Sequence, residues 1–317
     1  MSGSICGALV KTPDSQWLCS TRVFWTGALS NVDANGALVR FIACVFAEYP
    51  KLSASVWFCM PRSDGDLTET LIVEAIAPYG GTADDVRNGR VLVASVAQRA
   101  PIFQRPDVEA RCAILVPQDD GIFHDGLTAS MRGTHGLTIP PWNQRRPLVF
   151  WRGSCSADYK NNELLRRDVV AKLVGHPACD VKLLKQWHEG KDIPETYFGS
   201  YRPLQHFLNY KFLLVLDGNG ISSSHSWVFG SGAVPILVSN CDFWFRPYLV
   251  PYENYVPVSY DLSDLVEKID WLLAHDADAE RIAQGALALS TTVFTPAFQQ
   301  NYLRNKLIES VTAPRHT

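Results

Sequence analysis

The apolar positions of this chain fall mostly into short continuous runs bounded by glycine, proline and acidic residues, and the clearest run lies in Tyr210 to Val238, YKFLLVLDGNGISSSHSWVFGSGAVPILV. Phe212 to Leu216 reads as a buried strand and Asp217-Gly218-Asn219-Gly220 as an abrupt turn. Ser222, Ser223 and Ser224 open a short helix, and Val234 to Val238 is a second strand. A strand covered on both faces has no polar side, so two apolar runs joined by a polar helix start predict a parallel βαβ unit.

The same pattern, more weakly drawn, runs through the rest of the chain. Residues 1 to about 35 predict a short hairpin or cap, and Ala37 to Ala47 is apolar without a decisive period. Ser53 to Met60 predicts a strand closing on Pro61-Arg62-Ser63-Asp64-Gly65-Asp66, Leu67 to Ile76 a helix, and Val91 to Val96 a second strand. Ala113 to Val116 predicts a third, ending at Pro117-Gln118-Asp119-Asp120-Gly121. Strands alternating with helical segments imply an open α/β layer.

Between Gly126 and Pro147 the residues shift to Gly, Thr, Pro, Asn and Arg, which reads as an interdomain linker. Beyond it come a strand at Leu148 to Trp151, the turn Arg152-Gly153-Ser154-Cys155-Ser156, and an amphipathic helix over Asn161 to Val174. Asp180 to Leu184 and Asn254 to Val258 predict further strands, and Lys185 to Tyr201 a polar, aromatic insertion. The segment from Asp261 to Asp264 caps a helix whose apolar face is Leu265, Ile269, Leu272 and Leu273; two more helices follow, at Ala279 to Leu289 and Pro296 to Val311. The expected division is 1–140, 148–295 and a terminal helix at 296–317.

Composition narrows the classes. At 317 residues, with 47% hydrophobic and 19% charged side chains, the chain is long enough for two domains with adequate cores. A formal charge of -3 supplies no basic field, which speaks against nucleic acid as the main partner. The eight cysteines are scattered, without C-x-x-C pairs or metal-ligand spacing, and several lie inside apolar runs, as Cys44 and Cys59 do. That pattern, with no basic leader before an apolar core and no window of 18 apolar residues, leads us to expect a cytoplasmic protein without a membrane span or a resident metal.

Two turns carry candidate chemistry. Asp217-Gly218-Asn219-Gly220 with Ser222, Ser223, Ser224 and His225 offers glycine backbone, hydroxyls and N–H groups at a helix start, where a phosphate finds donors. Arg152-Gly153-Ser154-Cys155-Ser156, followed by Lys160, Arg166 and Arg167, repeats strand, Gly-Ser turn and helix, with cations able to neutralise a diphosphate leaving group. Each turn is also readable as a tight strand-to-helix connection with a serine cap. A dinucleotide fingerprint requires a third glycine where Ser223 stands, although Asp242 lies near the position of a ribose-binding acid; an NAD-type oxidoreductase therefore stays open as an alternative.

Taken in order, WRGSCS at Trp151 to Ser156, the helix carrying Arg166, Asp180-Val181-Lys182-Leu183, the Tyr210 to Val238 stretch, and FWFRPYLVPYENYVPVSYDLSDL resemble the CAP10-domain glycosyltransferases, glycosyltransferase family 90. The match runs from about residue 148 to 295 and thins before it to Ala100-Pro101-Ile102-Phe103 and Ile114-Leu115-Val116-Pro117. The resemblance implies a GT-B architecture, two Rossmann-like domains facing across a cleft. It also implies inverting transfer of xylose or glucose from a UDP-sugar to a glycan or glycoprotein acceptor, with no cofactor or metal required. By the same resemblance the C-terminal domain holds the nucleotide, and the best match for the catalytic base is Asp64, with Asp66, Asp119 and Asp120 as alternatives; from the residues alone Asp64 is a turn aspartate beside Arg62. Many relatives carry basic residues where this chain has Asp217 through His225, so the charge has to come from Arg152, Lys160 or Arg166. A catalytically inactive sugar-nucleotide or glycan-binding module is the second reading.

Overall fold

The computed structural model describes residues 5–11, 17–20, 56–60, 73, 77, 82–87, 91–95, 97–99, 113–115, 117, 137–155, 165–185, 193–218, 221–222 and 224–312. In chain order the elements are β1 (Ile5–Lys11), β2 (Trp17–Ser20), β3 (Val56–Met60), α1 (Ala83–Arg87), β4 (Val91–Ser95), β5 (Ala97–Arg99) and β6 (Ala113–Leu115). Then follow β7 (Arg146–Gly153), α2 (Leu165–Leu173), β8 (Cys179–Leu183), α3 (Leu204–Phe207), β9 (Tyr210–Leu216), α4 (His225–Val228) and β10 (Val234–Val238). The last are β11 (Cys241–Phe243), β12 (Val256–Val258), α5 (Leu265–Ala274), α6 (Asp276–Thr292) and α7 (Pro296–Thr312). The chain divides into two compact units, one of 1–124, 241–244 and 296–317, the other of 125–240 and 245–295.

The first unit holds a sheet in the order β2-β1-β3-β4-β6. β3, β4 and β6 run parallel, whereas β1 is antiparallel to both β2 and β3. The early residues thus form the expected hairpin, and the layer is mixed. β11 pairs antiparallel with β5, Asp242 opposite Gln98, and the Trp244 ring lies 5.3 Å from that of Tyr302 on α7.

The second unit is built on an all-parallel sheet, β12-β10-β9-β7-β8. Every residue of β9 and β10 is buried, which is why both read as unbroken apolar runs. Val149, Trp151, Phe212, Leu214, Leu216, Val234, Ile236 and Val238 share one core with Val169, Val170 and Leu173 of α2, Leu265, Ile269 and Leu272 of α5, and Ile282 and Ala283 of α6. Because side chains alternate across a strand, Phe150 faces the other way, stacking on Tyr210 at 4.2 Å and meeting Phe207 edge-on at 4.8 Å.

Counted within this sheet, the strands lie in the order 2-1-3-4-5. The chain reverses its direction of progress between β7 and β9, so their carboxyl ends flank the switch point at which open α/β sheets hold ligands.

From Leu137 onward the stretch that composition marks as a linker packs onto this unit. Trp142 Nε1 donates to Asp276 Oδ2 at 3.2 Å, and Lys211 Nζ donates to Asp276 Oδ1 at 2.5 Å while lying 4.6 Å from the Trp142 ring centroid. Buried Arg145 donates to Pro140 O and Ser231 O, and burial lowers its guanidinium to about 10.

Candidate functional site

β7 delivers Gly153 and Ser154 to the carboxyl edge, and β9 delivers Asp217 and Gly218 beside them. Gly153 is glycine for a packing reason: a Cβ there would stand 2.4 Å from Cζ2 of Trp151, whose indole occupies that space. Backbone approach to a ligand is a separate demand that the same glycine can also serve.

The two arginines read as diphosphate cations are both engaged with protein. Arg152 forms an ion pair with Asp180 at 2.6 Å, donates to Trp151 O and Asp180 O, and lies over the Phe150 ring. Since Asp180 is opposite Phe150 in the register, the guanidinium folds back along its own strand. Arg166 rises from α2, buried, and donates to Ser154 O at 3.1 Å, Leu216 O at 3.0 Å and Asp217 O at 3.0 Å, with Ser154 Oγ at 3.4 Å.

Asp217 is buried, and its Oδ2 accepts from the Asn240 N–H at 3.0 Å, tying the end of β9 to the segment that leaves β10. Its carboxylate therefore acts as a backbone latch. Ser222 Oγ and Ser224 Oγ are 2.8 Å apart, and the Ser224 N–H donates to Ser222 Oγ. The helix that these serines open, α4, is a single turn of four residues, so its dipole is no more than that of one turn.

His225 is buried against Phe245, its ring stacked at 4.6 Å and 17°, with Phe294 at 5.9 Å. Nδ1 lies 2.5 Å from Ser222 O. A carbonyl can only accept, so Nδ1 carries the proton. Burial pushes the imidazole down to about 4, and His225 is neutral at physiological pH. It braces the turn and supplies no cation.

This has a measurable consequence. The unfolded chain binds the His225 proton below about pH 6.5, whereas the folded chain binds it only near pH 4. Stability conferred by the neutral ring is complete above the unfolded value and is lost as the pH falls between the two. His225→Asn keeps a donor for Ser222 O and removes the titration. Urea melts between pH 7 and 4.5 should show the wild-type acid limb steeper than the variant's by about 1 kcal/mol per pH unit; parallel limbs would refute the assignment.

Asp242 stands exposed on β11, within the first unit, and not at the end of the second strand of the βαβ pair where a ribose-binding acid sits. Asp64, Asp66, Asp119, Asp120, Ser156, Lys160, Asn219, Gly220 and Ser223 lie outside the described residues. Among the described residues no three His, Cys, Asp or Glu side chains come together as metal ligands do, and no helix is long and apolar enough to cross a membrane.

The carboxyl edge thus presents two Gly/Ser turns, laced together from beneath by Arg166 and Asp217. The sequence profile of glycosyl transferase family 90 matches residues 128–295, more than half the chain and all five strands of the parallel sheet. The chain belongs to glycosyl transferase family 90. Relatives within reach of this family 90 chain include uncharacterized protein 179R of Invertebrate iridescent virus 6, 32% identical over 202 residues, which cover 53% of this chain and 17% of that protein. Protein O-glucosyltransferase 2 of Danio rerio is 26% identical over 162 residues, 50% of this chain and 31% of its own length. Protein O-glucosyltransferase 3 of Rattus norvegicus is 24% identical over 182 residues, 56% and 35% respectively. The chain thus spans about a third or less of these relatives' own lengths. Among solved structures, a GtfA/B complex aligns over 96% of this chain and 65% of its own at 14% identity and a TM-score of 0.42, too distant to bear on the assignment.

Of the site, the sequence signals Arg166 more fully than composition does: it precedes Val169 and Val170 by three and four residues and Leu173 by seven, on the buried stripe of α2. The partners of His225 carry no local signal, because Phe245 and Phe294 are distant in sequence.

Proposed function

We propose that this family 90 protein transfers xylose or glucose from a UDP-sugar, with inversion and without a required metal, to a hydroxyl of a glycan or glycoprotein. The observation that carries the reading is the position of the two Gly/Ser turns. They end β7 and β9, at the switch point of a 2-1-3-4-5 parallel sheet, where nucleotides lodge in open α/β folds. Relatives named protein O-glucosyltransferases agree with glucose as one donor sugar. A GT-B arrangement of two Rossmann-like domains goes with the reading, the parallel unit taking the donor and the first unit the acceptor.

Inverting transfer needs a carboxylate to take the acceptor proton while the hydroxyl attacks the anomeric carbon and the C–O bond to UDP breaks. Asp64, four residues beyond β3, is assigned that role. Since Arg152 is spent on Asp180, the diphosphate is assigned to neutral donors: the hydroxyls of Ser154, Ser222 and Ser224 and the peptide N–H groups of the two turns, with Lys160 as the added cation. A cytoplasmic site of action goes with the reading, the eight cysteines being scattered through the sequence without paired spacing.

The test is thermal denaturation with UDP, UDP-glucose, UDP-xylose and NAD, followed by turnover assays in the presence of a chelator. A ligand at a hundredfold its Kd stabilises by about 2.7 kcal/mol, a melting shift of several degrees. Stabilisation by UDP and one UDP-sugar, with transfer or slow donor hydrolysis, is expected. Binding without turnover over any acceptor would make the protein a sugar-nucleotide-binding module, and stabilisation by NAD alone would end the transferase reading.

A further inference from the structure

We propose that Arg166 is a positioning residue of the donor site: it aims the peptide N–H groups of the two turns at the diphosphate and does not ligate the diphosphate itself. The proposal rests on the UDP-sugar reading above and goes further by dividing labour within the site.

One guanidinium donates to three carbonyls, Ser154 O from the end of β7 and Leu216 O and Asp217 O from the end of β9. These strands are neighbours in the parallel sheet. In a planar trans peptide the C=O of one residue and the N–H of the next point in opposite directions, and no cis bond is present among the described residues. A carbonyl drawn toward Arg166 therefore sends the next amide the opposite way.

The Leu216 peptide shows the rule at work: its carbonyl meets Arg166, and the Asp217 N–H points across to Val238 O at 3.3 Å. By the same rule Asp217 O turns the Gly218 N–H away from the guanidinium, and Ser154 O does so for Cys155. Arg166 thereby fixes the orientation of one amide in each turn. The Trp151 ring, 5.7 Å from the guanidinium carbon and seated over Gly153, restricts the side chain's freedom to leave.

A lysine keeps the charge but not the fork. Its single ammonium cannot hold three carbonyls in the plane that the guanidinium sets. A direct phosphate ligand would tolerate that exchange better, since lysine binds phosphate as a point charge. The two roles therefore predict opposite outcomes for one substitution.

The experiment compares wild type, Arg166→Lys and Arg166→Met in UDP binding by calorimetry, donor KM, kcat and melting temperature. Positioning predicts that UDP Kd and donor KM rise at least tenfold in Arg166→Lys, about as much as in Arg166→Met, beyond any change traceable to a lower melting temperature. Near wild-type UDP affinity in Arg166→Lys overturns the proposal in favour of a charge role. Unchanged affinity in both variants, with only a lower melting temperature, reduces Arg166 to a fold-stabilising residue. Should neither variant fold, the wild type decides: UDP must slow exchange of the Gly218 amide or shift its resonance, and an indifferent Gly218 overturns the proposal. If wild type binds no UDP, the donor reading itself falls and this inference with it, a result distinct from a wild type that binds beside an unaffected Arg166→Lys.

Discussion

Asp64→Asn is expected to leave UDP affinity intact and to cut transfer by 10²- to 10⁴-fold, the range in which a positioned general base contributes. Asparagine has almost the shape of aspartate but cannot accept the proton of the attacking hydroxyl. In the absence of the base the oxygen must attack as a neutral alcohol or lose its proton to water. In the proposed reading the donor binds the other set of groups, at the ends of β7 and β9, so calorimetry with UDP separates a lost base from a lost fold. Parallel substitution of Asp66, Asp119 and Asp120 completes the comparison, because all four acids follow strands of the first unit. Full activity in Asp64→Asn with a collapse in one of the others would move the base to that residue.

Gly285→Ala is expected to destabilise the protein by about 1–2 kcal/mol net, although alanine is the better helix former by about 1 kcal/mol. Gly285 lies within α6, and a Cβ at this position would fall 2.0 Å from the carbonyl oxygen of Glu253 and 3.0 Å from its carbon. Relief would require the backbone at Glu253 to retreat, and that backbone is pinned. Asn254, buried, accepts from Val250 N at 3.0 Å and donates to Tyr248 O at 3.1 Å, while Arg281 donates to Tyr252 O at 3.2 Å. Tyr252 itself is held at φ +61°, a left-handed conformation that a bulky residue adopts only under constraint. Two effects of opposite sign thus compete, and overpacking outweighs propensity because the obstacle is main chain. Denaturant melts decide: a neutral or stabilised Gly285→Ala would show that the loop yields and that propensity wins.

The parallel half of the molecule is largely legible in the sequence. Each of its central strands is buried on both faces and so declares itself as an apolar run, and the glycines and serines after β7 and β9 mark where those runs stop. The division of roles within the site was not legible. Gly153 looks like a glycine for a phosphate, yet its space is taken by the Trp151 indole; His225 looks like a phosphate donor in a polar stretch, yet Phe245 and Phe294, some twenty and seventy residues away, bury it and hold it neutral. Arg152 looks like the natural phosphate partner of WRGS, and it is Asp180, across in the next strand, that takes it. In each case local pattern names the residue type, while a partner remote in sequence decides its charge or its direction. The β11 excursion had no pattern at all, being three residues set inside an aromatic segment that reads equally well as loop.

That excursion bears on how the gene could be recombined. The residues Cys241 to Trp244 belong to the first unit, between β10 and the Arg246–Tyr248 turn, and the chain passes to that unit again after Thr295. Exchanging the parallel unit for a homologous one would therefore take four junctions, at 124/125, 240/241, 244/245 and 295/296. Asn240, Phe245 and Phe294 stand at or next to three of them, and these are the residues that contact Asp217 and His225. All three lie inside the parallel unit and travel with Asp217 and His225, so these contacts survive the exchange, while a chimera joined at 124/125 alone would bring in the foreign Cys241–Trp244 and α7 segments as well and leave the other three junctions matched.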